Sequence, residues 1–185
     1  MQKIFLTSDE HYNHSNIIGY CKRPFKDVYE MNKTIVCNHN KVVRPTDLVI
    51  HVGDCILHNF PLKFDEILES LNGSHVFLKG NHDRKFQVNS MIIKSHGLQL
   101  FLTHKPPETN PFGYQICLSG HHHEKYRALI QNDPVTNQIK YMIVNVGVDV
   151  WNFHPISLDF LAGSYIPKLQ KKYQREGILF FDSTL

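Results

Sequence analysis

The chain of 185 residues is long enough for one domain with a sizeable core and short for several. With 42% hydrophobic and 20% charged residues it has the composition of a globular protein, and a net charge of +3 argues against nucleic-acid wrapping while leaving room for an anionic substrate. No stretch approaches the ~18 apolar residues of a membrane span, and MQKIFLTSDEH has no apolar run of signal-peptide length, so a cytoplasmic protein is expected.

The elements alternate along the chain. Lys3–Ser8 (KIFLTS) is a short β-rich apolar run and predicts a buried strand. Asp27–Val43 predicts a helix, with Val28, Met31, Ile35 and Val42 at helical spacing, Asp27 as N-cap and Pro45 as stop. Leu48–Gly53 (LVIHVG) predicts the next strand, and Pro61–Asn72 a helix with Phe64, Ile67, Leu68 and Leu71 on one face and Gly73 as C-cap. His75–Gly80, Ser90–Ser95, Leu98–Thr103, Gln115–Ser119 and Lys140–Gly147 follow as strands, with a turn over Asp133–Asn137 before the last. The first half suggests a partly parallel sheet with crossover helices, the second an additional antiparallel sheet. The fold class is therefore α/β, with two sheets face to face and helices outside. A domain over 1–165 is expected, then a basic tail over 166–185 whose Lys168, Lys171, Lys172 and Arg175 read as a solvated face.

The cysteines at 21, 37, 55 and 117 form no CxxC pair and read as free thiols in apolar space. The 13 histidines are more telling. Asp9-Glu10-His11 directly follows KIFLTS. Gly53-Asp54 follows LVIHV, Gly80-Asn81-His82-Asp83 follows HVFLK, His104 follows LQLFLT, and Gly120-His121-His122-His123 follows ICLS. Ligands of open α/β sheets bind beyond the carboxyl ends of strands, where loops on a rigid scaffold can aim side chains at one point. Residues i and i+2 near a strand share a side, which pairs Asp9 with His11 and His121 with His123 and turns Glu10 and His122 elsewhere. Carboxylate, amide and imidazole donors without thiolate suit Mn, Fe, Zn or related ions. Asp9, His11, Asp54, Asn81, His104, His121 and His123 are too many for one tetrahedral ion and suit two ions ~3.5–4 Å apart.

The order DxH, GD, GNHD, H, GHxH resembles the calcineurin-like metallophosphoesterase superfamily, from Met1 to about Phe160. The wording SDEHYNHSNIIGYCKRPF and GVDVWNFHPIS is similar to a small bacterial and bacteriophage branch of predicted phosphoesterases. The resemblance implies an αββα sandwich and a binuclear centre of divalent ions, Mn2+ foremost, with Fe, Zn, Ni or Co as alternatives. It implies that Asp9, His11 and His123 hold the first ion, that Asn81, His104 and His121 hold the second, and that Asp54 bridges both with a hydroxide. His82 would protonate the leaving oxygen and Asp83 would orient His82. The chain departs from the serine/threonine phosphatase branch: GDCILHN and GNHD stand where that branch has GDxVDRG and GNHE, so the phosphate-binding arginine after Asp54 is missing. Protein dephosphorylation is not favoured.

Asn13, His14, Arg23 and Arg84 are candidate substrate contacts, Arg because its fork matches phosphate oxygens. Glu10 is expected to face solvent or bond a loop, and His122 to take a supporting or surface role. Lys105-Pro106-Pro107 opens a stiff loop to about Gly113, a candidate cleft wall, on which Phe112 and Tyr114 are expected to pack. His39, His51, His58, His75 and His96 read as structural or exposed, and Trp151 and His154 as packing for the C-terminal segment. The leading function is hydrolysis of a phosphodiester or phosphomonoester of a small nucleotide-like substrate. A nuclease and a non-catalytic metal-dependent binding protein are the alternatives. A structural zinc site is weaker still, since no cysteine is expected in the cluster.

Overall fold

In the computed structural model, which describes residues 1–57, 63–108, 115–132 and 139–175, the apolar runs become strands of two stacked mixed sheets. β1 (Ile4–Thr7), β2 (Leu48–Val52) and β3 (Ser74–Leu78) run parallel in the order β3-β2-β1. The helices between them are the crossovers that parallel pairing requires. They are α1 (Ser15–Tyr20), α2 (Val28–Val42) and α3 (Phe64–Ser70). The second sheet contains β4 (Ser90–Ser95), β5 (Leu98–Thr103), β6 (Ile116–Ser119), β7 (Ala128–Asn132) and β8 (Ile139–Asn145), in the order β4-β5-β6-β8-β7. Its outer pairs are antiparallel, as expected, but β5, β6 and β8 at its centre are parallel. β9 (Ile156–Ser157) closes the first sheet antiparallel to β1.

The core lies between the sheets. Leu6, Ile50, Val52 and Leu78 face Leu100, Leu102, Leu118, Met142 and Val144 within one buried cluster. A second cluster forms where Met31 and Ile35 of α2 and Ile67 of α3 meet Tyr12, Ile17, Cys55 and Leu71. Asp27 caps α2 as expected, accepting from the Glu30 N–H at 2.8 Å. The next helix is shorter than its apolar pattern: Leu71 is its C-cap, and Gly73 lies beyond it at φ +106°. There the chain passes so close to the Asp47 carbonyl that a Cβ would sit 3.0 Å from it. The turn expected over 133–137, and His58, Phe112 and Tyr114, lie outside the described residues.

The expected boundary after residue 165 falls inside helical chain. α4 (Leu158–Phe160) runs through a π-helical stretch (Leu161–Tyr165) into α5 (Ile166–Arg175). Pro167 lies just past the π-helical stretch, a local widening of the helical ladder of the kind that accommodates a proline's missing N–H. Ile166 is fully buried, and Leu169 and Tyr173 pack on the main cluster, so this segment completes the domain. Trp151 packs on Tyr165 with ring centroids 5.4 Å apart, as expected of it. The described residues contain no helix long and apolar enough to cross a membrane.

His39 of α2 is buried, and its Nε2–H donates to the Asn72 carbonyl at 2.8 Å. Burial holds its ring down to about 4, against the pull of that carbonyl. An unfolded ring takes a proton near 6.5 and the folded one does not until about 4, so stability falls as pH drops through that window. At pH 5 this ring accounts for about 2 kcal/mol of lost stability. Urea midpoints at pH 7 and pH 5 should therefore differ less in His39→Gln, which keeps a donor but no titratable ring, than in the wild type.

Candidate metal centre

The carboxyl ends of the parallel strands in both sheets meet along one edge, and every predicted motif lies there. Backbone strain is concentrated in the same loops. Asp9, His11, Asn13, Asp54, His121 and His123 all have left-handed φ, between 46° and 70°. Such conformations cost of order 1–3 kcal/mol each in non-glycine residues and persist only where surroundings enforce them. Here the enforcement is visible: the N–H groups of Asp9 and His11 donate to the carbonyls of Gly53 and Asp54, both at 3.0 Å, sewing the first motif to the second. Asp9 and His11 therefore share a side because of alternating left-handed turns, not because the strand continues.

The glycines fix the approach distance. A Cβ on Gly80 would collide with the Asp54 carboxylate, and one on Gly120 would collide with Ser8 Oγ and Asp9 Oδ2. Gly53 lies at φ +92° with the His104 ring against its Cα.

Asp9, His11 and His123 bring donor atoms within 4.8 Å of one another, and so do Asp9, Asp54 and His104. Asp54 stands between the halves: its Oδ2 is 3.1 Å from His104 Nε2 and 3.7 Å from His11 Nε2. Asn81 Oδ1 lies 3.0 Å from both His104 Nε2 and His121 Nδ1. The side chains grouped by the resemblance are thus brought together in those groups.

Two rings are oriented from behind. His104 Nδ1–H donates to the Val52 carbonyl at 3.0 Å, which turns Nε2 toward Asp54 and Asn81. His123 Nδ1–H donates to Asp149 Oδ2 at 3.0 Å, which leaves Nε2 facing Asp9 Oδ1 at 4.0 Å. Histidines that hold metals are typically oriented by such partners. His11 Nε2 is buried with no hydrogen-bond partner among the described residues.

Lone pairs on carboxylate, amide and imidazole converge here, and the cluster draws positive charge to itself. Burial opposes a charged His123, but its Asp149 bond, with Cys21 and Asp9 nearby, lifts it to about 10. Burial pushes Asp9 up to about 6, whereas Asp54 is carried down to about 2 because His104 and the His82 N–H outweigh its burial. His121 is lowered to about 4 by burial. A divalent cation would meet the same electrostatic demand, and the donor set fits divalent metals that accept nitrogen and oxygen.

Several residues take other places than expected. Arg23 makes no opening toward substrate. Its guanidinium is buried, with Nε and Nη2 on Asp149 at 2.8 and 2.9 Å, Nη1 on the Glu10 carbonyl and Nη2 on the Asp9 carbonyl. It clamps the first motif to the loop after β8. Asn13 accepts from Asn32 Nδ2 at 2.8 Å and braces the same loop against α2. Asp83 does not bond His82. Its Oδ2 accepts from the N–H groups of Asp54 (2.6 Å) and Gly80 (3.0 Å), and its Oδ1 has no partner among the described residues. Its short, buried reach goes to the main chain, so it locks the second motif to the third.

Glu10 is buried, not solvent-facing. Its carboxylate meets His51 Nδ1 at 2.7 Å, and His51 Nε2 meets His75 Nδ1 at 3.0 Å. Burial alone would raise Glu10, yet His51 carries it below the usual carboxylate range. His82 is exposed, with its ring 5.4 Å from His11 and its N–H on Asp54 Oδ1 at 2.8 Å. His14 stands beside both, its ring 5.3 Å from His11 and 6.2 Å from His82. Arg84 lines a cavity of about 430 Å³ that also holds His82. His122 turns away from the centre toward Tyr126. Asp149 went unmarked as a site residue, although GVDVWN follows a strand as the motifs do. Cys21 also escaped expectation, lying with His123 and Asp149 in one group of potential donors.

The two-sheet sandwich brings DxH, GD, GNHD, H and GHxH to one edge, the motifs that carry the resemblance to calcineurin-like metallophosphoesterases. No protein-family model matches the chain. It is 44% identical over 164 residues to the uncharacterized protein MJ1445 of Methanocaldococcus jannaschii, spanning 88% of this chain and 90% of that one. The chain belongs to one family with that archaeal protein. Among solved structures, the protein of unknown function AQ665 from Aquifex aeolicus superposes with TM-score 0.66 at 23% identity, over 91% of this chain and 100% of that one, which shows a shared fold. The phosphoesterase Yfce from E. coli overlaps at TM-score 0.42 and 18% identity, over 78% of each chain, and so loose a match carries no functional weight.

Replacing Asp149 by Asn would keep an acceptor of the same shape but remove the charge that holds His123 and Arg23. Mn2+ titration by calorimetry should show one binding event weakened about 10–100-fold, the usual cost of losing such a partner. Unchanged affinities would deny Asp149 any part in holding metal.

Proposed function

We propose that this protein is a binuclear metal-dependent phosphoesterase acting on a small nucleotide-like phosphate ester. The reading is carried by one observation: Asp54 Oδ2 lies between His11 Nε2 and His104 Nε2, with Asp9 and Asn81 turned toward the same space. Asp9, His11 and His123 would hold one divalent ion, Asn81, His104 and His121 a second, and Asp54 both. Mn2+ suits this donor set, with Fe, Zn, Ni and Co as further candidates. Such a pair supplies water made acidic enough to act near neutral pH and positive charge for the phosphoryl oxygens.

The chain's own groups do the remaining work. The Val52 carbonyl and Asp149 hold the rings of His104 and His123 in register, so no reorganisation is needed at the moment of reaction. His82 stands at the mouth of the neighbouring cavity with its backbone fixed by Asp54, where it can give a proton to a departing oxygen.

Turnover of bis(p-nitrophenyl) phosphate should need added Mn2+, cease with a chelator, return on reloading, and be abolished in Asp54→Asn. His82→Ala should retain metal. It should slow an alkyl ester by ~10²–10⁴ while sparing p-nitrophenyl esters, whose leaving group needs no acid. Equal effects on both ester types would remove His82 from the acid role, and failure of every metal to support turnover would remove the enzymatic reading.

A further inference from the structure

Among the described residues, two cavities border the candidate metal centre. The first, of about 430 Å³, is walled by Ile56, His82, Phe86, Arg84 and Lys85. The second, of about 480 Å³, lies on the side of His104 and His121 and is walled by Lys79, Lys105, Thr103 and Asn89. Asn81 lines both.

Each cavity carries a pair of cations. Lys79, Lys105, Arg84 and Lys85 are exposed, and none has an acidic partner among the described residues. Lys85 rests over the Phe64 ring at 5.2 Å, which holds it beside the first cavity. The charge of Lys105 is felt at His121, so it stands within electrostatic reach of the centre. Asp83 is the one carboxylate lining either cavity among the described residues, and its Oδ2 is committed to main-chain N–H groups. A phosphomonoester would fill the centre and leave at least one cationic pair without a counterpart. A diester whose chain runs on in both directions would use both.

We propose that the two cavities form one groove through the metal centre, and that its substrate is a phosphoryl linkage, diester or anhydride, flanked on both sides by further phosphates. The proposal rests on the phosphoesterase reading and deepens it. Lys79 and Lys105 engage phosphate on one side of the scissile bond, and Arg84 and Lys85 engage phosphate on the other. Ile56 and Phe86 offer apolar wall to a sugar or base between them. Two sources share this chemistry: a short single-stranded oligonucleotide and a dinucleoside polyphosphate.

The test uses metal-loaded protein with a fluorescent single-stranded pentanucleotide, diadenosine tetraphosphate and bis(p-nitrophenyl) phosphate. The variants are Lys79→Ala/Lys105→Ala and Arg84→Ala/Lys85→Ala. For whichever chain substrate the groove takes, each variant should lower kcat/KM, relative to that on bis(p-nitrophenyl) phosphate, by about tenfold, as loss of charge-assisted bonds predicts. If the oligonucleotide is taken, the salt dependence of its binding, read by anisotropy, should flatten by about 0.7 in log–log slope for each phosphate no longer neutralised. The proposal falls if either variant leaves both chain substrates untouched, or slows all three substrates equally. Should no substrate turn over, the phosphoesterase reading fails on its own. Anisotropy with the oligonucleotide, and its displacement by diadenosine tetraphosphate, still decide the groove: weakened binding in both variants upholds it, and unchanged binding in either overturns it.

Discussion

Crowding of like polarity at the Asp54 carboxylate organises this molecule. One oxygen receives the His82 N–H, and the other faces His104 and His11. The Asp54 N–H is bound by Asp83, and its carbonyl accepts from His11. Three of the motif loops are therefore tied to a single residue. Bringing so many electron-rich atoms together opposes folding, and the two-sheet core holds them in place. Leu102, Leu118, Met142 and Val144 are wholly buried immediately behind the loops. Apolar burial at about 25 cal/mol per Å² is the force available to hold such loops in strained conformations.

The support is layered. Arg23 joins the carbonyls of Asp9 and Glu10 to the carboxylate of Asp149, which in turn holds His123. Glu10, between two site residues, points backward into a chain of imidazoles at His51 and His75. Asn145 donates to the His123 and Tyr126 carbonyls at 2.7 and 3.0 Å and fixes the last motif to the end of β8. None of these groups needs to touch a substrate to matter. Removing one partner from a buried charged pair costs about 3–5 kcal/mol.

What the sequence disclosed follows from what it can encode locally. KIFLTS, LVIHV and LQLFLT are apolar because the central strands are buried, and the residues that end them are polar because the loops are not. That contrast exposed the five motifs and the sandwich. Short elements escaped: SNIIGY makes one brief helix, and β7 and β9 are too slight to show a period. Relations across long separations escaped too. Arg23 and Asp149 are 126 residues apart, and nothing in either neighbourhood announces the pair. Arg23 beside a candidate site suggested a phosphate contact, whereas its fork is committed to scaffolding. The alternation rule turned Glu10 away from Asp9 and His11, correctly, but could not say that left-handed turns would drive it inward to His51.

The glycines at 80 and 120 confine where variety can enter. A single added carbon at either position would displace a carboxylate of the centre, so the floor of the site tolerates almost no rewriting. The walls carry no such restriction, since Lys79, Arg84, Lys85 and Lys105 are all exposed. Effort to redirect this scaffold toward new esters belongs on that rim, where side chains can be exchanged freely while the chemistry beneath stays intact.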